Sequence, residues 1–301
     1  MNKALVALGM LLAALAWPAS AASAERVLEI AGSKLSIEER GGPITAGDAE
    51  LLRWVQRSAN IVRGYYGFFP VADVAVRISV ASGSGVLTGH TNAWPHPVID
   101  VTVGRNSTPA MLLDDWVLVH EMIHLALPDV GEEHNWLAEG VATYVEGIAR
   151  VQAGNMAAAA LWQEYAAQMP KGLPKDDDHG LDHTHTWART YWGGALYCLW
   201  ADVLIREQTH GRAGLQDALR AIGRQSGGMR ADWLVGRVLA TGDAATGTRV
   251  LSTLYAQMKD APVAPDLSGL WRELGVEVVG DQVRLHDDAP LAEVRLRITR
   301  P

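Results

Sequence analysis

The sequence predicts an α+β fold, in which a small mixed sheet and a helix that carries the candidate functional residues precede a mostly helical second half. Alternation of apolar and polar residues, which is typical of strands, occurs before residue 105 and again near the C-terminus. Apolar residues at helical spacing dominate between residues 109 and 240. Of the 301 residues, 49% are hydrophobic, so the chain is long enough to bury a substantial core.

The first 24 residues are expected to be a secretory signal peptide. Lys3 precedes the apolar run Ala4–Trp17, and the small residues that follow offer cleavage sites after Ala21 or Ala24. The run is too short to remain across a bilayer. We therefore expect an exported protein, periplasmic or extracellular, without a stable membrane span after the leader is removed.

The remaining residues are expected to form a single domain, because neither a repeat nor a long linker divides them. Its first half contains the sheet and the site-bearing helix, its second half is helical, and its tail is a short β segment. The corresponding ranges are 25–128, 129–275 and 276–301.

Charge and cysteine content argue against two classes of function. The formal net charge is −8 at pH 7, and loss of Lys3 with the leader makes it more negative, so we expect no nucleic-acid partner. The single cysteine, Cys198, lies in the apolar run Ala195–Trp200. We expect a buried free thiol at this position and not a nucleophile.

Five elements are predicted before residue 107. In the strands, apolar residues recur at every second position, as in Val74, Val76 and Ile78. Gly, Asn, Pro and His are concentrated in Gly89–Pro97, which is predicted to be a loop. The predicted elements are strands Arg26–Ile30 and Lys34–Glu38, a helix Ala46–Tyr66 capped by Thr45, and strands Asp73–Val80 and Val98–Val103.

Helices dominate the rest of the chain. Ser107, Thr108 and Pro109 form a strong helix start, and this helix is expected to end before Pro128. Prolines and glycines in Met169–His185 predict a loop. The other predicted elements are helices from Asn135 to about Val151, Thr186–Gln208, Leu215–Ile222 and Ala231–Leu239, and a hairpin of Val276–Val279 and Gln282–Leu285.

His120, Glu121 and His124 form a His-Glu-x-x-His motif on the helix that begins near Ser107. Residues four apart point the same way on a helix, so the two imidazoles can bind one Zn²⁺ ion at about 2.0–2.1 Å. Glu121 is displaced around the helix, close to the ion but not bound to it. We expect Glu121 to be the general base that takes a proton from zinc-activated water and passes it to the leaving amine.

A catalytic zinc site needs a third protein ligand and an open position for water. Spacing alone leaves five candidates near the next helix, namely Glu132, Glu133, His134, Glu139 and Glu146. Glu139 is favoured because it is predicted to be buried on that helix, where an unpaired carboxylate would be costly. Glu132 and Glu133 are expected to lie in a solvated loop.

The motif at His120–His124, followed by Trp136–Gly140, resembles the gluzincin zinc metallopeptidases, particularly the aminopeptidase N-like and glycyl aminopeptidase-like families. The resemblance implies a thermolysin-like zincin catalytic core with one Zn²⁺ ion and Glu139 as its third protein ligand. Tyr191–Leu196 resembles the tyrosine-x-x-glycine segment of those families, which implies that Tyr191 stabilises the oxyanion. On sequence alone, the competing tyrosines are Tyr144, Tyr165 and Tyr197.

The resemblance is incomplete, because the G-x-M-E-N segment that recognises a free amine in aminopeptidase N-like enzymes is missing before the site helix. Endopeptidase and aminopeptidase action therefore both stay open. We expect a zinc metallopeptidase acting on a peptide or protein substrate. The alternative is a non-catalytic periplasmic zinc-binding or interaction protein on the same fold. Glu121 and Tyr191 favour the enzyme, because a structural zinc site needs neither.

Two further segments have hypothetical roles. Gly89–Val103 is a candidate substrate-binding edge, because an extended peptide can pair with a strand that lies above the site helix. Asp176–His185 is rich in Asp and His and is a candidate for a second ion site or a cleft wall. A solvated loop is the favoured interpretation of this second segment.

Overall fold

A five-stranded mixed sheet forms one part of the fold, and the α+β prediction is confirmed. The structure, a computed structural model, describes residues 26–300, so the expected signal peptide lies outside the described residues. The strands are β1 (Arg26–Ile30), β2 (Ser33–Arg40), β3 (Asp73–Ala81), β4 (Val86–Asn92) and β5 (Val98–Gly104). Their order is β1-β2-β3-β5-β4, and the edge strands β1 and β4 are antiparallel to their neighbours while the inner pairs are parallel.

The sheet and helix α1 (Asp48–Tyr66) share one hydrophobic core. The strand register places buried residues side by side, as with Ile37, Val76 and Ile99. Because side chains alternate between the faces of a strand, these residues form a continuous apolar face. The predicted cap of α1 is wrong: Gly47 precedes the helix, and the Thr45 hydroxyl instead donates to the Arg105 carbonyl at 3.1 Å.

Helices α2 (Pro109–Leu113) and α3 (Val117–His124) replace the single site helix that the sequence predicted. Asp115 separates them, because its Oδ1 accepts from the Val117 amide at 3.0 Å and its Oδ2 accepts from the Leu118 amide at 3.1 Å. These bonds satisfy free amides at the start of α3, as a helix cap does. The helix that carries both motif histidines therefore has a fixed starting point.

Strand β4 occupies much of the segment that was predicted to be a loop. The prediction of a loop at Gly89–Pro97 is wrong as far as Asn92, because pairing with β5 stabilises an extended backbone there. β4 is an edge strand and packs against α3. Gly89 and Thr91 are two residues apart and both contact Glu121 of α3.

The helical half contains more helices than the sequence predicted. The start at Asn135 is confirmed, and the free thiol of Cys198 is buried in α6 as expected. The sequence analysis did not predict four of them, namely α5, α9, α10 and the C-terminal α11, which follows the predicted hairpin. The elements are α4 (Asn135–Gln152), α5 (Ala158–Gln168), α6 (Gly194–Gln208), α7 (Leu215–Ser226), α8 (Val235–Thr246), α9 (Val250–Met258), α10 (Leu267–Leu274), β6 (Val276–Val279), β7 (Gln282–Leu285) and α11 (Ala292–Thr299).

Helix α8 begins four residues later than predicted, because the segment before it is hydrogen-bonded to the residues that follow α3. The Met229 amide donates to the Leu125 carbonyl at 3.0 Å, and the Trp233 amide donates to the Asp129 carbonyl at 2.9 Å.

None of the helices between residues 26 and 300 is both long and apolar enough to cross a membrane.

The predicted helix Thr186–Gln208 contains a π-helical turn at Arg189–Gly193, directly before α6. Such turns are rare and frequently occur at functional sites. The backbones of α4 and α6 meet where Gly140 faces Gly194. Because neither residue has a side chain, this contact lets the π turn approach the part of α4 that carries Glu139.

Candidate metal centre

Three side chains from α3 and α4 converge in a cleft. His120 Nε2 lies 3.3 Å and His124 Nε2 lies 3.5 Å from the same atom, Oε2 of Glu139. Within residues 26–300, these three residues are the only group of three or more His, Cys, Asp or Glu side chains arranged to hold a metal ion. The four-residue spacing on α3 positions the two imidazoles, and packing of α4 on α3 supplies the carboxylate.

The separations suit a tetrahedral zinc site. Zinc binds imidazole nitrogen and carboxylate oxygen at roughly 2.0–2.2 Å, so neighbouring ligand atoms of a tetrahedron lie roughly 3.3–3.6 Å apart. Both nitrogen–oxygen distances to Glu139 fall in this range. Two histidines and one glutamate are also a known donor set of catalytic zinc sites, which leave the fourth position open. The residues therefore fit a zinc ion.

The ionisation of these residues is coupled. Burial by itself raises the pKa of Glu139, but hydrogen bonds with His120 and His124 outweigh this effect and lower that pKa to about 2. Burial by itself lowers the pKa of His124, but the hydrogen bond and charge of Glu139 raise it above its ordinary value. Glu139 is therefore an anion at neutral pH, which is the form that binds a metal cation.

Glu121 is buried beside the three candidate ligands and lines the same cleft. Its carboxylate contacts β4, because the Thr91 Oγ1 lies 2.7 Å from Glu121 Oε2. A Cβ built on Gly89 would lie only 2.6 Å from Glu121 Cγ. Sequence reasoning included both residues in the candidate substrate-binding edge Gly89–Val103, but it missed their contact with Glu121 because it placed them in a loop. Their spacing of two residues, which puts both on one face of a strand, is the signal that finds them.

Tyr191 lies on the π turn and lines the cleft next to the three candidate ligands. Its ring is stacked with the ring of His120, at a centroid distance of 6.3 Å, and with the ring of Trp187, at 5.6 Å. Burial, together with the charge and hydrogen bond of Glu139, raises the pKa of Tyr191 to about 12. The hydroxyl therefore keeps its proton at neutral pH and can donate a hydrogen bond.

The three competing tyrosines donate their hydroxyl groups elsewhere. Tyr144 donates to Asp202 Oδ2 at 3.0 Å, and Tyr197 donates to the Leu251 carbonyl at 2.8 Å. Tyr165 donates to the Tyr144 carbonyl. All three rings are buried in the core, and none lines the cleft. Of the four tyrosines, Tyr191 is thus the one whose hydroxyl lies in the cleft, where its partner is the candidate ligand Glu139.

The other candidate ligands lie apart from the centre. His134 Nδ1 lies 3.1 Å from Asp182 Oδ1, and Glu146 is buried in an ion pair with an arginine of the same helix. Glu132 and Glu133 form a short 3₁₀ turn before α4 and are exposed at the edge of the cleft. Tertiary packing therefore brings only Glu139, among the five sequence candidates, to both histidines.

The segment Asp176–His185 is a loop, as the sequence favoured, but it is only partly solvated: Asp176 and Asp177 are exposed, whereas two of its carboxylates are buried, and His185 lines the cleft. Asp182 is buried and accepts a hydrogen bond from Trp136 Nε1 at 2.7 Å. Asp178 is buried and forms an ion pair with Arg189 at 2.8 Å. The two carboxylates hold the segment against the helices, and neither belongs to an ion-binding group in the part of the chain that the structure describes.

The centre opens into a cleft of about 1080 Å³. Its walls come from α3, α4, the π turn and β4, and Trp94 extends one wall beyond the end of β4. Asp129, Glu132 and Glu133 line another side, and no lysine or arginine of residues 26–300 lines the cleft. The volume is sufficient for a peptide segment, since pockets that bind drug-sized ligands measure about 300–1,000 Å³.

Solved structures share this architecture, although no protein-family profile and no curated protein matches the sequence. An aminopeptidase N family protein from Idiomarina loihiensis matches with a TM-score of 0.60 and 14% identity, covering 84% of this chain and 49% of that one. A variant of an M1 zinc metallopeptidase from Deinococcus radiodurans matches with a TM-score of 0.51 and 14% identity, covering 80% and 52%. A variant bound to a Tyr-Ser-Ala substrate has the same TM-score and coverage, with 13% identity.

The chain spans about half the length of these solved structures. The matched part covers most of this chain. At this level of identity the likeness concerns the fold. The described chain therefore has the α+β fold seen in aminopeptidase N family proteins and M1 zinc metallopeptidases.

Proposed function

We propose that this chain is a zinc-dependent metallopeptidase that hydrolyses peptide bonds. One observation carries the proposal: the ligand atoms of His120, His124 and Glu139 all lie within 4.8 Å of one another, in a cleft that also contains Glu121 and Tyr191. The fold shared with solved zinc metallopeptidases supports the same conclusion. A purely structural zinc site would need a fourth protein ligand and would need neither Glu121 nor Tyr191.

Each residue of the centre has a separate task in this proposal. A bound Zn²⁺ ion would lower the pKa of a water molecule and polarise the carbonyl group of the substrate. His120, His124 and Glu139 would hold the ion. Glu121 accepts a proton from the attacking water and then donates it to the nitrogen of the leaving amine. One carboxylate thus serves first as base and then as acid.

Tyr191 donates a hydrogen bond to the oxygen that becomes negatively charged during the attack. Its hydroxyl is protonated at neutral pH, as in an ordinary tyrosine, and burial together with the charge of Glu139 raises its pKa further, to about 12. Stacking with His120 and Trp187 fixes the ring, so the donor is in place before the charge develops.

The substrate in this proposal is a peptide or protein segment, and no nucleic-acid partner is involved. The exposed edge of β4 borders the cleft, and an extended segment could pair with it by backbone hydrogen bonds. The acidic side chains of the cleft disfavour a polyanionic substrate. We also propose that the protein acts after export, in the periplasm or outside the cell, on the basis of the expected signal peptide.

The experiment combines zinc analysis with turnover of a mixed peptide library. The wild-type protein is expected to bind one zinc ion per chain and to cleave peptides. Glu121→Gln is expected to retain zinc and to lose roughly 10²–10⁴-fold in kcat, because it cannot accept the proton. Glu29→Gln is the matched control, since Glu29 is an exposed carboxylate on β1, away from the cleft.

Each outcome separates the alternatives. Stoichiometric zinc without turnover of any peptide favours a non-catalytic zinc-binding protein. Undiminished cleavage by Glu121→Gln contradicts the role of this carboxylate. The positions of the cleaved bonds distinguish removal of terminal residues from internal cleavage.

A further inference from the structure

Strand β4 carries two residues that contact the side chain of Glu121. The Thr91 Oγ1 lies 2.7 Å from Glu121 Oε2 and 2.9 Å from the main-chain oxygen of Glu121. On the same face of β4, a Cβ built on Gly89 would lie 2.6 Å from Glu121 Cγ and 2.8 Å from its Oε1. The carboxylate is therefore bordered by a hydrogen-bond donor at one oxygen and by bare backbone at the other.

We propose that Thr91 is a positioning residue that orients the carboxylate of Glu121 for proton transfer. This inference rests on the proposed peptidase function. The terminal torsion of a glutamate side chain has broad energy minima, so nothing within Glu121 itself fixes the plane of its carboxylate. A hydroxyl that donates to a charged oxygen forms one of the stronger hydrogen bonds available to a neutral donor. Thr91 supplies this external constraint.

The hydroxyl fixes one oxygen and leaves the other available. Thr91 has a single proton to donate, which its two acceptors on Glu121 share. With Oε2 held by the hydroxyl, the proton from water is assigned to Oε1, to which none of the described residues donates a hydrogen bond. Gly89 completes the arrangement, since any side chain at this position would occupy the space that Oε1 requires.

A second role for Thr91 is purely structural, because its bond to the Glu121 main-chain oxygen also joins β4 to α3. The two roles have different consequences. Loss of a strand-to-helix bond would lower stability and would disturb the whole cleft. Loss of carboxylate orientation would lower kcat while zinc content and KM stay unchanged, since Thr91 is not among the three candidate ligands.

Steady-state kinetics of Thr91 variants separate these roles. The zinc-loaded proteins are assayed with a fluorogenic peptide that the wild type cleaves. Thr91→Val, which has nearly the shape of threonine without the hydroxyl, is expected to lose roughly 10–100-fold in kcat with zinc content and KM nearly unchanged. Thr91→Ser is expected to restore most of the activity because it retains the hydroxyl. Thr88→Val is the control, since Thr88 is an exposed threonine of the same strand and does not line the cleft.

A crystal structure of metal-free Thr91→Val gives a readout that does not depend on activity. The carboxylate of Glu121 is expected to rotate or to move by more than about 0.5 Å, the tolerance of a productive catalytic geometry. Thr91→Ala provides the same test if the valine variant does not fold. A carboxylate that stays in place overturns the inference, and so does an unchanged kcat. If the wild type cleaves no peptide, the proposed function fails, while the displacement still decides whether Thr91 positions Glu121.

Discussion

Gly140 and Gly194 form the contact at which α4 crosses α6, and a Cβ built on either residue would overlap the backbone of the other. Gly140 directly follows Glu139, and Gly194 lies three residues after Tyr191. The separation of these two helices therefore sets the distance between the third candidate ligand and the candidate oxyanion donor. Both glycines are needed for close approach and not for unusual backbone angles, since neither has a positive φ.

Gly140→Ala is expected to lower the free energy of unfolding by about 1–3 kcal/mol, because the added methyl group must push two packed backbones apart. Chemical denaturation measures this change. Gly64→Ala in α1 is the matched control, since no atom lies within 4 Å of its added Cβ. That variant is expected to be more stable by about 0.5–1 kcal/mol, as alanine is the better helix former. Equal effects of the two substitutions would contradict the role of the crossing.

Tyr191→Phe is expected to lower kcat by roughly 10²–10³-fold, because one preorganised donor to the oxyanion is lost. Zinc content and KM for a cleaved peptide should change little. Tyr66→Phe is the control, since Tyr66 is buried at the end of α1 and does not line the cleft. An unchanged kcat for Tyr191→Phe would assign the tyrosine to packing with His120 and Trp187.

The metal-free protein is expected to show a pH-dependent contribution from His124 and Glu139. The raised pKa of His124 stabilises the fold below its ordinary value near 6.5, and this contribution is lost as pH rises through the folded pKa. The lowered pKa of Glu139 stabilises the fold above about 4.5, and this contribution is lost as pH falls toward about 2. The stability difference between wild type and His124→Gln should therefore be largest between pH 4.5 and 6.5.

Urea denaturation of chelator-treated protein across this pH range measures that difference. His96→Gln is the control, because His96 is exposed and is not one of the three candidate ligands. Its stability difference from wild type should be small at every pH. A difference for His124→Gln that grows as pH rises above 7 would contradict the coupling between His124 and Glu139.

Asp115→Ala is expected to destabilise the protein by about 1–3 kcal/mol, because two amides of α3 lose their acceptor. The same carboxylate also accepts from Trp54 Nε1 at 3.0 Å, and this buried donor would be left unpaired. Thermal unfolding measures the loss. Asp114→Ala, at the neighbouring exposed carboxylate, should change stability by less than about 1 kcal/mol. Similar losses for both variants would argue against Asp115 as the start of α3.

Local sequence patterns determined the features that depend on short-range geometry. The four-residue spacing of His120 and His124 places both rings on one helical face in any α-helix. The alternation in Asp73–Val80 and the pattern from Asn135 to Val151 likewise predicted a strand and a helix that the structure confirms. Periodicity within one segment is enough for such predictions, because side-chain direction follows from the local backbone.

Long-range packing decided which residues meet at the candidate site. Five residues were open as the third ligand, and only the packing of α4 on α3 brings Glu139 to both histidines. Pairing with β5 turned a segment rich in loop-forming residues into β4, and thereby brought Thr91 to Glu121. These contacts join residues that are distant in sequence, so no periodicity within a single segment can reveal them. The sequence alone therefore determined the chemical groups of the candidate site, whereas the tertiary structure decided which of them meet.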